Sequence, residues 1–406
     1  MNVDELLRDT LHEQAAGGVS PPPDFADRVL TVRRRRGRRI AAVAAATAAV
    51  IAAAVAVPVM SGGGDDVRPA SEMNRSDIIG HPSQSPPRDL IAAGDIAVAG
   101  YFTRTNVKES ATLGVATRVY RLLDQETGRY EKADKWSVVD VAPGMRTAAV
   151  LEKRLPAKRI GLLDLVTGEV DRWIPVGHGV AGVAFSPDGG KLVATTYSEN
   201  PDLLHKVDYD SDGDGKKNDW DVQFGESART GFYVLDVDSG KGSWSKVAAE
   251  ADRVNPRQDF AFSHDGKLVY SGLITAPNQQ YYDFEGHKTA TPAREKYTHW
   301  AVEAGLSPDG KRVAGDFAGS DKRSASAILD PLTGRQVTTV RGQQLLAWAD
   351  DKRLIAWEAT PGPGSSEFHN GLALVTIGSD KVVPLSGFRK GVDGAPGRWT
   401  PLFARR

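Results

Sequence analysis

The sequence predicts an all-β fold built from short strands and tight turns, and three observations lead to this prediction. The 406-residue chain contains 42 Gly and 23 Pro, which is typical of a turn-rich protein. A strand–turn–strand stretch, Phe185–Thr195, recurs along the chain in closer or looser form. Its copies lie 42 to 44 residues apart, except for one interval of 77. Because a four-stranded propeller blade takes about 40–50 residues, this spacing predicts a six-bladed β-propeller, with seven blades as the alternative.

The first kind of repeated turn connects the first two strands of each unit. Proline presets φ at the second position, aspartate bonds to the local backbone, and glycine accepts a positive φ. A further, degenerate copy at Ala93-Gly-Asp95 starts the first of six units. The other copies are Ala142-Pro-Gly144, Ser186-Pro-Asp-Gly189, Ser263-His-Asp-Gly266, Ser307-Pro-Asp-Gly310 and Ala349-Asp-Asp-Lys352.

The second kind of turn follows the pattern Leu-Asp-x-x-Thr/Ser-Gly and connects the third strand of a unit to the fourth. Its clear copies are Leu123–Gly128, Leu163–Gly168, Leu235–Gly240 and Leu329–Gly334. The 77-residue interval corresponds to one blade with an insert of roughly 33 residues, near 199–230. The first unit lacks an inner strand, and an open ring would expose sheet edges. The C-terminal segment Arg398–Ala404 is therefore predicted to pair with Ile96–Tyr101.

These turns resemble the WD-like repeats of TolB-type β-propellers, in which a strand ends in Phe-Ser-Pro-Asp-Gly-Lys. The resemblance covers residues 90–385 in its period and is sharpest at Phe185–Thr195, Phe262–Ser271 and Leu306–Gly315. It weakens at Ala142–Gly144 and Ala349–Lys352, where the turn is degenerate. The family includes periplasmic scaffold proteins and the gating domains of some peptidases. The resemblance therefore implies a fold and leaves the activity open.

The first 89 residues predict a membrane anchor. Residues 1–32 read as a short helical cytosolic segment and residues 33–39 as a basic run. Residues 40–60 contain no charge and would span about 31 Å as a helix, close to the roughly 30 Å of a bilayer core. The flanking arginines put the N-terminus in the cytoplasm and the rest outside. Residues 61–89 read as a flexible linker, and residues 90–406 as the propeller.

Two alternatives for this region stay open. Ala54-Val55-Ala56 fits a signal-peptidase site, although the long leader and long apolar run favour a retained anchor. The arginine run could also bind nucleic acid. The net charge of the chain is −1, which gives no overall signal for nucleic-acid binding. Because the arginine run lies beside an uncharged segment, it is better explained as a signal for membrane topology. We therefore expect the lipid bilayer, and no nucleic acid, as a partner.

An acidic stretch inside the insert is the one motif with metal chemistry. Calcium loops alternate oxygen ligands and place a glycine at position six. The preferred register uses Asp210, Asp212, Asp214, the Lys216 carbonyl, Asn218 and Asp221. A second register starts at Asp208 instead. Six aspartates in 14 residues would repel one another without a cation, which predicts a structural calcium ion. A solvated acidic turn is the alternative.

Other patterns carry weaker signals. Gly177-His-Gly-Val-Ala-Gly182 matches a dinucleotide fingerprint but precedes a strand, so it reads as a loop between blades. A group of aromatic residues near the fourth unit could pack the strands or line a ligand-binding rim: Tyr281, Tyr282, Phe284, Tyr297, His299 and Trp300. The chain has no Cys, which excludes disulfides and thiolate chemistry. Neither a His-Glu-x-x-His nor a Gly-x-Ser-x-Gly motif occurs.

We therefore expect a non-catalytic binding or scaffold module, anchored in the plasma membrane by a single pass and displayed outside the cytoplasm. Its ligand would be a protein or a cell-envelope component. The first alternative is a transmembrane regulator with the layout of an anti-sigma factor, in which residues 1–32 bind a cytosolic protein. The second is an enzyme whose residues converge in the propeller funnel from separate blades.

Overall fold

In the computed structural model, the described residues are 78–210, 217, 219–249, 256–320, 323–359, 368–391 and 397–406. Within these ranges the chain contains β-strands and no helix, which confirms the all-β prediction. The chain divides into two compact units, of which the larger comprises Ala56–Val207 and Trp220–Arg406. The predicted helical segment, basic run and membrane helix at 1–60 lie outside the described residues, as do most residues of the predicted linker.

The described residues form 26 strands. In chain order they are β1 (Ile78–Ile79), β2 (Ala92–Ala93), β3 (Ile96–Lys108), β4 (Leu113–Leu123), β5 (Tyr130–Ala133), β6 (Trp136–Val141), β7 (Thr147–Glu152), β8 (Ala157–Asp164), β9 (Val170–Phe185), β10 (Lys191–Tyr197), β11 (Leu203–Lys206), β12 (Trp220–Asp221) and β13 (Arg229–Asp236). They continue with β14 (Gly242–Lys246), β15 (Phe260–Phe262), β16 (Val269–Gly272), β17 (Gln279–Tyr282), β18 (Lys288–Thr289), β19 (Val313–Phe317), β20 (Ala325–Leu329), β21 (Gln336–Arg341), β22 (Gln344–Trp348), β23 (Arg353–Ala359), β24 (Asn370–Thr376), β25 (Val382–Pro384) and β26 (Trp399–Arg405).

Antiparallel meanders are the repeated unit of the fold. β15–β18 and β22–β25 each form a four-stranded sheet in chain order, and β19–β21 form a three-stranded one. A seven-stranded sheet holds two further meanders, β6–β9 and β9–β10–β13–β14, because the 16-residue strand β9 belongs to both. In the remaining sheet β26, β3, β4 and β5 follow one another. Antiparallel meanders of this kind are the blades of β-propellers.

Both predicted turn types are present with the expected chemistry. In the second type, Asp164 Oδ1 accepts hydrogen bonds from the backbone nitrogens of Val166 (2.7 Å) and Thr167 (3.0 Å), and Gly168 has φ of 71°. In the first type, Ser186 Oγ donates to Asp188 Oδ1 over 2.5 Å and accepts from the Lys191 nitrogen over 2.9 Å. Because each aspartate satisfies the turn's own backbone donors, local sequence is sufficient to specify these turns.

Apolar clusters lie between neighbouring meanders. Val340 of β21 and Ile328 of β20 pack with Leu345 and Leu354 from the next sheet, and all four are at most 1% exposed. Two sheets earlier, the ring centroids of Phe232 and Phe260 lie 4.7 Å apart. Each such buried side chain contributes about 1.5–3 kcal/mol to folding. The sheets therefore pack face to face, with no separate core layer between them.

The C-terminal strand pairs where the sequence predicts. β26 lies antiparallel to β3, with Trp399 opposite Thr103 and Arg405 opposite Ile96. This confirms the predicted pairing of the tail with Ile96–Tyr101 and extends it by two residues. The first and last described strands of the repeated units thus share one sheet.

The folded part begins before the predicted start at residue 90. β1 pairs with β2, with Ile78 opposite Ala93. Gln84 is 8% exposed, and its side-chain amide donates to Asp89 Oδ2 over 2.5 Å. Residues 78–89, at the end of the predicted linker, are therefore part of the folded unit. Their Gly, Pro and Ser content resembles that of a linker, although here these residues form packed turns.

Candidate functional site

The turn between the first and second strands of each unit contacts the corresponding turn of the next unit. We call the part of the fold that these turns form the tight-turn end. Each contact joins turns or strand ends from two units. The contacts are the Gly144 nitrogen to Arg405 O (2.9 Å), Gly189 to Pro143, Gly266 to Pro187, the His264 ring to the Pro308 backbone, the Asp309 nitrogen to Asp351 Oδ1 (2.9 Å), and the Asp95 nitrogen to Ala349 O (2.8 Å). The second strand of each unit runs away from this end. It finishes at the opposite end, which we call the loop end.

At the loop end, the insert of the third unit reaches the first unit. β10 ends at Tyr197 and β13 begins at Arg229, in agreement with the insert predicted near 199–230. Within it, β11 pairs with β4, and Leu204 lies opposite Gly114. β12 adds to β11, with Asp221 opposite His205. The insert thus extends the sheet of β3 and β4 beyond the repeated unit.

Two of the six predicted calcium ligands are described. Asp221 lies in β12, where its Oδ1 accepts a hydrogen bond from the Val222 nitrogen over 2.7 Å. Asp210 is also described, whereas Asp212, Asp214, Lys216 and Asn218 lie outside the described residues. Among the described residues no group of three or more His, Cys, Asp or Glu side chains could hold a metal ion. The calcium site stays a prediction, supported by the oxygen-rich donor set of its sequence.

A buried ionic network fixes the start of the insert. Asp202 is 7% exposed, and its carboxylate accepts hydrogen bonds from two arginine side chains. Arg118 of β4 donates from both terminal nitrogens to the two carboxylate oxygens, over 2.8 and 3.0 Å. Arg257 donates from Nε over 2.8 Å and from a terminal nitrogen over 2.6 Å. Burial opposes ionisation of Asp202, but Arg257 and Arg118 outweigh it and hold the pKa of this carboxyl well below its usual range.

The same network extends to the inner strands. Arg257 also donates to Asp259 Oδ2 over 2.8 Å and to Ala181 O over 2.7 Å. Tyr197 donates its hydroxyl to Asp259 Oδ1 over 2.8 Å. A Cβ on Gly182 would lie 2.3 Å from Asp259 Oδ1, so a larger residue there would displace the Asp259 carboxylate from the network. The two aspartates balance the two arginines, which makes this a neutral structural clamp joining the first, third and fourth units.

Sequence reasoning did not identify this clamp. Asp202 is separated from Arg118 by 84 residues and from Arg257 by 55. Nothing in the local sequence distinguishes these residues from the other charged residues of a chain that is 25% charged. The position of Asp202 inside the predicted insert was the one signal available.

Exposed apolar side chains gather at the loop end. Trp300 is 44% exposed and Phe317 54% exposed. The His299 Nδ1 atom lies 3.4 Å from Asp316 Oδ1, which brings the stretches containing Trp300 and Phe317 together. Other exposed side chains lie at or just after the end of a second strand, in the insert, or stacked beside the start of β24; these are Val107, Phe224, Ile274 and Phe388.

The members of the aromatic group differ in exposure. Tyr281 is fully buried and Tyr282 is 3% exposed, as expected for strand packing. Trp300 is exposed, as expected for a rim. The dinucleotide interpretation of Gly177–Gly182 finds no support, because these residues lie within β9 and no helix follows in the described part of the chain.

The repeated Ser-x-Asp-Gly turns do not form a hydrolytic site. Ser186 is 3% exposed, and Ser263 and Ser307 are fully buried. Each donates its hydroxyl to the aspartate two residues later, over 2.5 to 2.8 Å. A nucleophilic serine needs a base that removes its proton and an exposed oxygen. These hydroxyl groups are used within the turn.

A further carboxyl outside the clamp, that of Asp140, lies between two inner strands. Asp140 of β6 accepts a hydrogen bond from the Phe185 nitrogen over 2.7 Å, which links the inner strands of two units. Burial raises the pKa of Asp140 to about 6, because no cation compensates the lost hydration of its charge. Its position between two strands gives it a structural role.

The described part of the chain is an all-β protein of repeated antiparallel meanders with one inserted hairpin. No family model matches the chain, and no curated protein matches it. In the part of the chain that the structure describes, there is no helix that is both long and apolar enough to cross a membrane.

Several solved structures are similar to it. Hydrazine synthase of Kuenenia stuttgartiensis is 16% identical with a TM-score of 0.32, over 61% of this chain and 65% of that one, which is less than two thirds of its length. TolB of Acinetobacter baumannii is 15% identical with a TM-score of 0.33, over 73% and 67%. The Cps50 (Swd1) β-propeller domain of Myceliophteria thermophila is 11% identical with a TM-score of 0.35, over 73% and 90%.

Proposed function

We propose that the chain is a closed, six-bladed β-propeller that acts as a non-catalytic binding module. Five of the six units are complete meanders, and the fifth in chain order, β19–β21, gains a first strand through the bridge from Leu306 to Val313. The tight-turn contacts support closure, since they link each unit to the next and the last unit to the first. The pairing of β26 with β3 supports it too, because it joins the two chain ends in one blade.

The observation that carries the binding role is the gathering of exposed apolar side chains at the loop end. Exposed aromatic patches commonly mark interaction sites, and tryptophan is enriched among residues that dominate binding energy. Loops on a rigid scaffold are also the usual location of binding residues. The clamp of Asp202 and Arg257 lies at this same end and holds the insert in place, so the surface is preorganised.

A matched pair of variants tests the binding role. We expect Trp300→Ser to weaken binding of the partner by about tenfold or more, as for a central aromatic contact. Val166→Ser, at the opposite end and similarly exposed (46% against 44%), should leave binding unchanged. The measurement is quantitative affinity capture from alkaline-washed native membranes. Equal capture by both variants, with unfolding temperatures near that of the wild type, would contradict a binding site at the loop end.

We also propose that residues 40–60 anchor the chain in the plasma membrane, with the propeller outside the cytoplasm. The six arginines of residues 33–39 lie on one side of the uncharged segment, which supports a cytoplasmic N-terminus and an external propeller.

The insert is proposed to bind one structural calcium ion. Terbium replaces calcium in such oxygen sites, and Trp220 of β12 is adjacent in sequence to the predicted ligand Asp221, so it can sensitise terbium luminescence. We expect a calcium-displaceable terbium signal with a dissociation constant of roughly 10⁻⁴ to 10⁻³ M.

Two substitutions then distinguish the registers. Asp214→Ala removes a side-chain ligand from the preferred register alone, and Asp208→Ala removes one from the alternative register alone. We expect the first to weaken binding by about tenfold and the second to leave it nearly unchanged. Absence of a terbium signal in the wild type would show that the acidic stretch is a solvated turn.

A further inference from the structure

The outermost strand of the fifth unit, β21, has an unusually open edge. Its sequence, Gln336-Val-Thr-Thr-Val-Arg341, has no charge before its last residue and no proline. Exposed edge strands are templates for pairing, and proteins normally protect them with charges, prolines or covering segments. β21 has neither a central charge nor a proline, and its residues are favourable strand formers.

The outermost strands of four other units are protected in these ways. β5 carries Glu131 and Lys132, and β25 ends in Pro384. β18 is only two residues long. In β14, Ser245 donates its hydroxyl to Phe284 O over 2.9 Å, so a neighbouring unit covers that strand.

The direction of the backbone groups in β21 follows from its partner strand. The carbonyl of Ala325 in β20 accepts from the Ala318 nitrogen, on the β19 side, and the Asp330 nitrogen donates to Arg335 O, on the β21 side. Since directions alternate along a strand, even-numbered residues of β20 face β21. Thr338 and Val340 lie opposite Ile328 and Ser326 and complete that ladder. Thr339 and Arg341 therefore direct their backbone N–H and C=O groups outwards.

Exposed apolar side chains lie along the same edge. Val337, which is the extra residue where the register shifts, is 49% exposed. Leu332, in the turn before β21, is 57% exposed. Among the described residues, the outward carbonyl of Thr339 accepts a hydrogen bond from the Thr338 hydroxyl, over 3.4 Å. A carbonyl oxygen can accept a second hydrogen bond.

We propose that this edge pairs antiparallel with β21 of a second copy of the chain, centred on Thr339. An antiparallel pair of identical strands has a two-fold axis perpendicular to the sheet, which requires that a residue faces its own copy or one of the same parity. Centring on Thr339 satisfies this condition and brings outward N–H and C=O groups of the two strands together. Arg341 then faces Val337 of the second copy, so no like charges are opposed.

The self-complementarity of the strand favours a second copy over an unrelated peptide. Thr339 would meet Thr339 of the other chain, and paired threonines are favourable across antiparallel strands. The exposed Val337 of both copies would lie two residues from the axis and lose solvent contact. The resulting dimer is separate from the loop-end surface proposed above, and its formation does not depend on that surface.

Sedimentation velocity of the purified chain over a range of concentrations tests the proposal. We expect a concentration-dependent dimer for the wild type. Thr339→Pro removes the outward N–H at the centre while leaving the β20 ladder intact, since proline is tolerated on edge strands. It should raise the dimer dissociation constant at least about tenfold. Thr339→Val, which keeps the N–H, should dimerise like the wild type.

Charge variants at Val337 provide a second readout that does not depend on the folding of the proline variant. Val337→Lys opposes Arg341 of the second copy and should weaken the dimer by roughly 2- to 30-fold, since the contact occurs twice by symmetry. Val337→Glu should strengthen it by a similar factor. A monomer at all concentrations, or a dimer that is indifferent to both Thr339→Pro and the charge at 337, would overturn the proposal.

Discussion

Replacing Asp202 with asparagine is expected to lower the free energy of unfolding by about 3–5 kcal/mol. The substitution keeps the size and shape of the side chain and removes its charge. Arg118 is 9% exposed, and Arg257 is intermediate in exposure. The two guanidinium groups would then face each other, and Asp259 would be the one carboxylate left in the clamp. Removing one partner of a buried ion pair is costly because the other charge stays desolvated without compensation.

Urea unfolding at neutral pH measures this loss. Asp134→Asn is the matched control, because Asp134 forms an exposed pair with Lys132 over 2.6 Å and exposed pairs contribute little. We expect no measurable change for that variant. A loss for Asp202→Asn as small as that of the control would mean that water replaces the carboxylate and that the clamp is not rigid.

The pH dependence of the difference has a definite sign. The folded-state pKa of Asp202 is depressed, chiefly because Arg257 and Arg118 outweigh the effect of burial. Its stabilising contribution is therefore fully present above the unfolded pKa of about 3.9 and is lost as the pH falls towards the folded pKa. We expect the gap between wild type and Asp202→Asn to be constant from pH 5 to pH 8, within roughly 0.5 kcal/mol, and to narrow below about pH 4.

The turns were predictable because their chemistry is local. Asp124, Asp164 and Asp330 each accept hydrogen bonds from backbone nitrogens two and three residues later. The glycines that end these turns have φ between 66° and 71°. A contact between residues so close in the chain depends only on neighbouring positions of the sequence, and its repetition gives the period of the fold. The pairing of the tail followed from the same period, since one unit lacked a strand.

The clamp and the open edge could not be predicted because they depend on which units become neighbours. Arg118 meets Asp202 only because the insert crosses to the first unit and β11 pairs with β4. Gly182 leaves room for Asp259, from the next unit, which occupies the space that a side chain would take. Neither requirement leaves a local pattern. Residues 78–89 were predicted to belong to the linker for a related reason. Their polar composition is typical of a linker and does not distinguish it from packed turns.

Trp399→Ala is expected to lower the free energy of unfolding by about 3–5 kcal/mol. Trp399 begins β26 and is 2% exposed. Its ring centroid lies 5.8 Å from that of Tyr101 and 5.2 Å from that of Trp357, both in edge-to-face geometry. Its indole nitrogen donates to Ser85 Oγ over 3.0 Å. Removing the indole would leave a cavity between the first and last units and an unpaired hydroxyl.

Two substitutions calibrate this loss. Trp399→Phe keeps an aromatic ring but loses the hydrogen bond to Ser85, so about 1–2 kcal/mol is expected from the smaller ring and the lost donor. Trp300→Ala removes an exposed tryptophan (44%) and should change the free energy of unfolding by less than about 1 kcal/mol. The measurement is urea unfolding, followed by hydrogen exchange of the backbone amides of β3.

The two readouts together address how the ends of the chain are joined. If β26 is the strand that completes a cooperative fold, Trp399→Ala shifts the global midpoint and lowers the protection of β3 and of distant strands such as β16 equally. If β26 opens independently of the rest, only β3 loses protection and the midpoint stays near that of the wild type. The packing of Trp399 against Trp357 of β23, in the last unit, favours the first outcome, because opening β26 would expose both units at once.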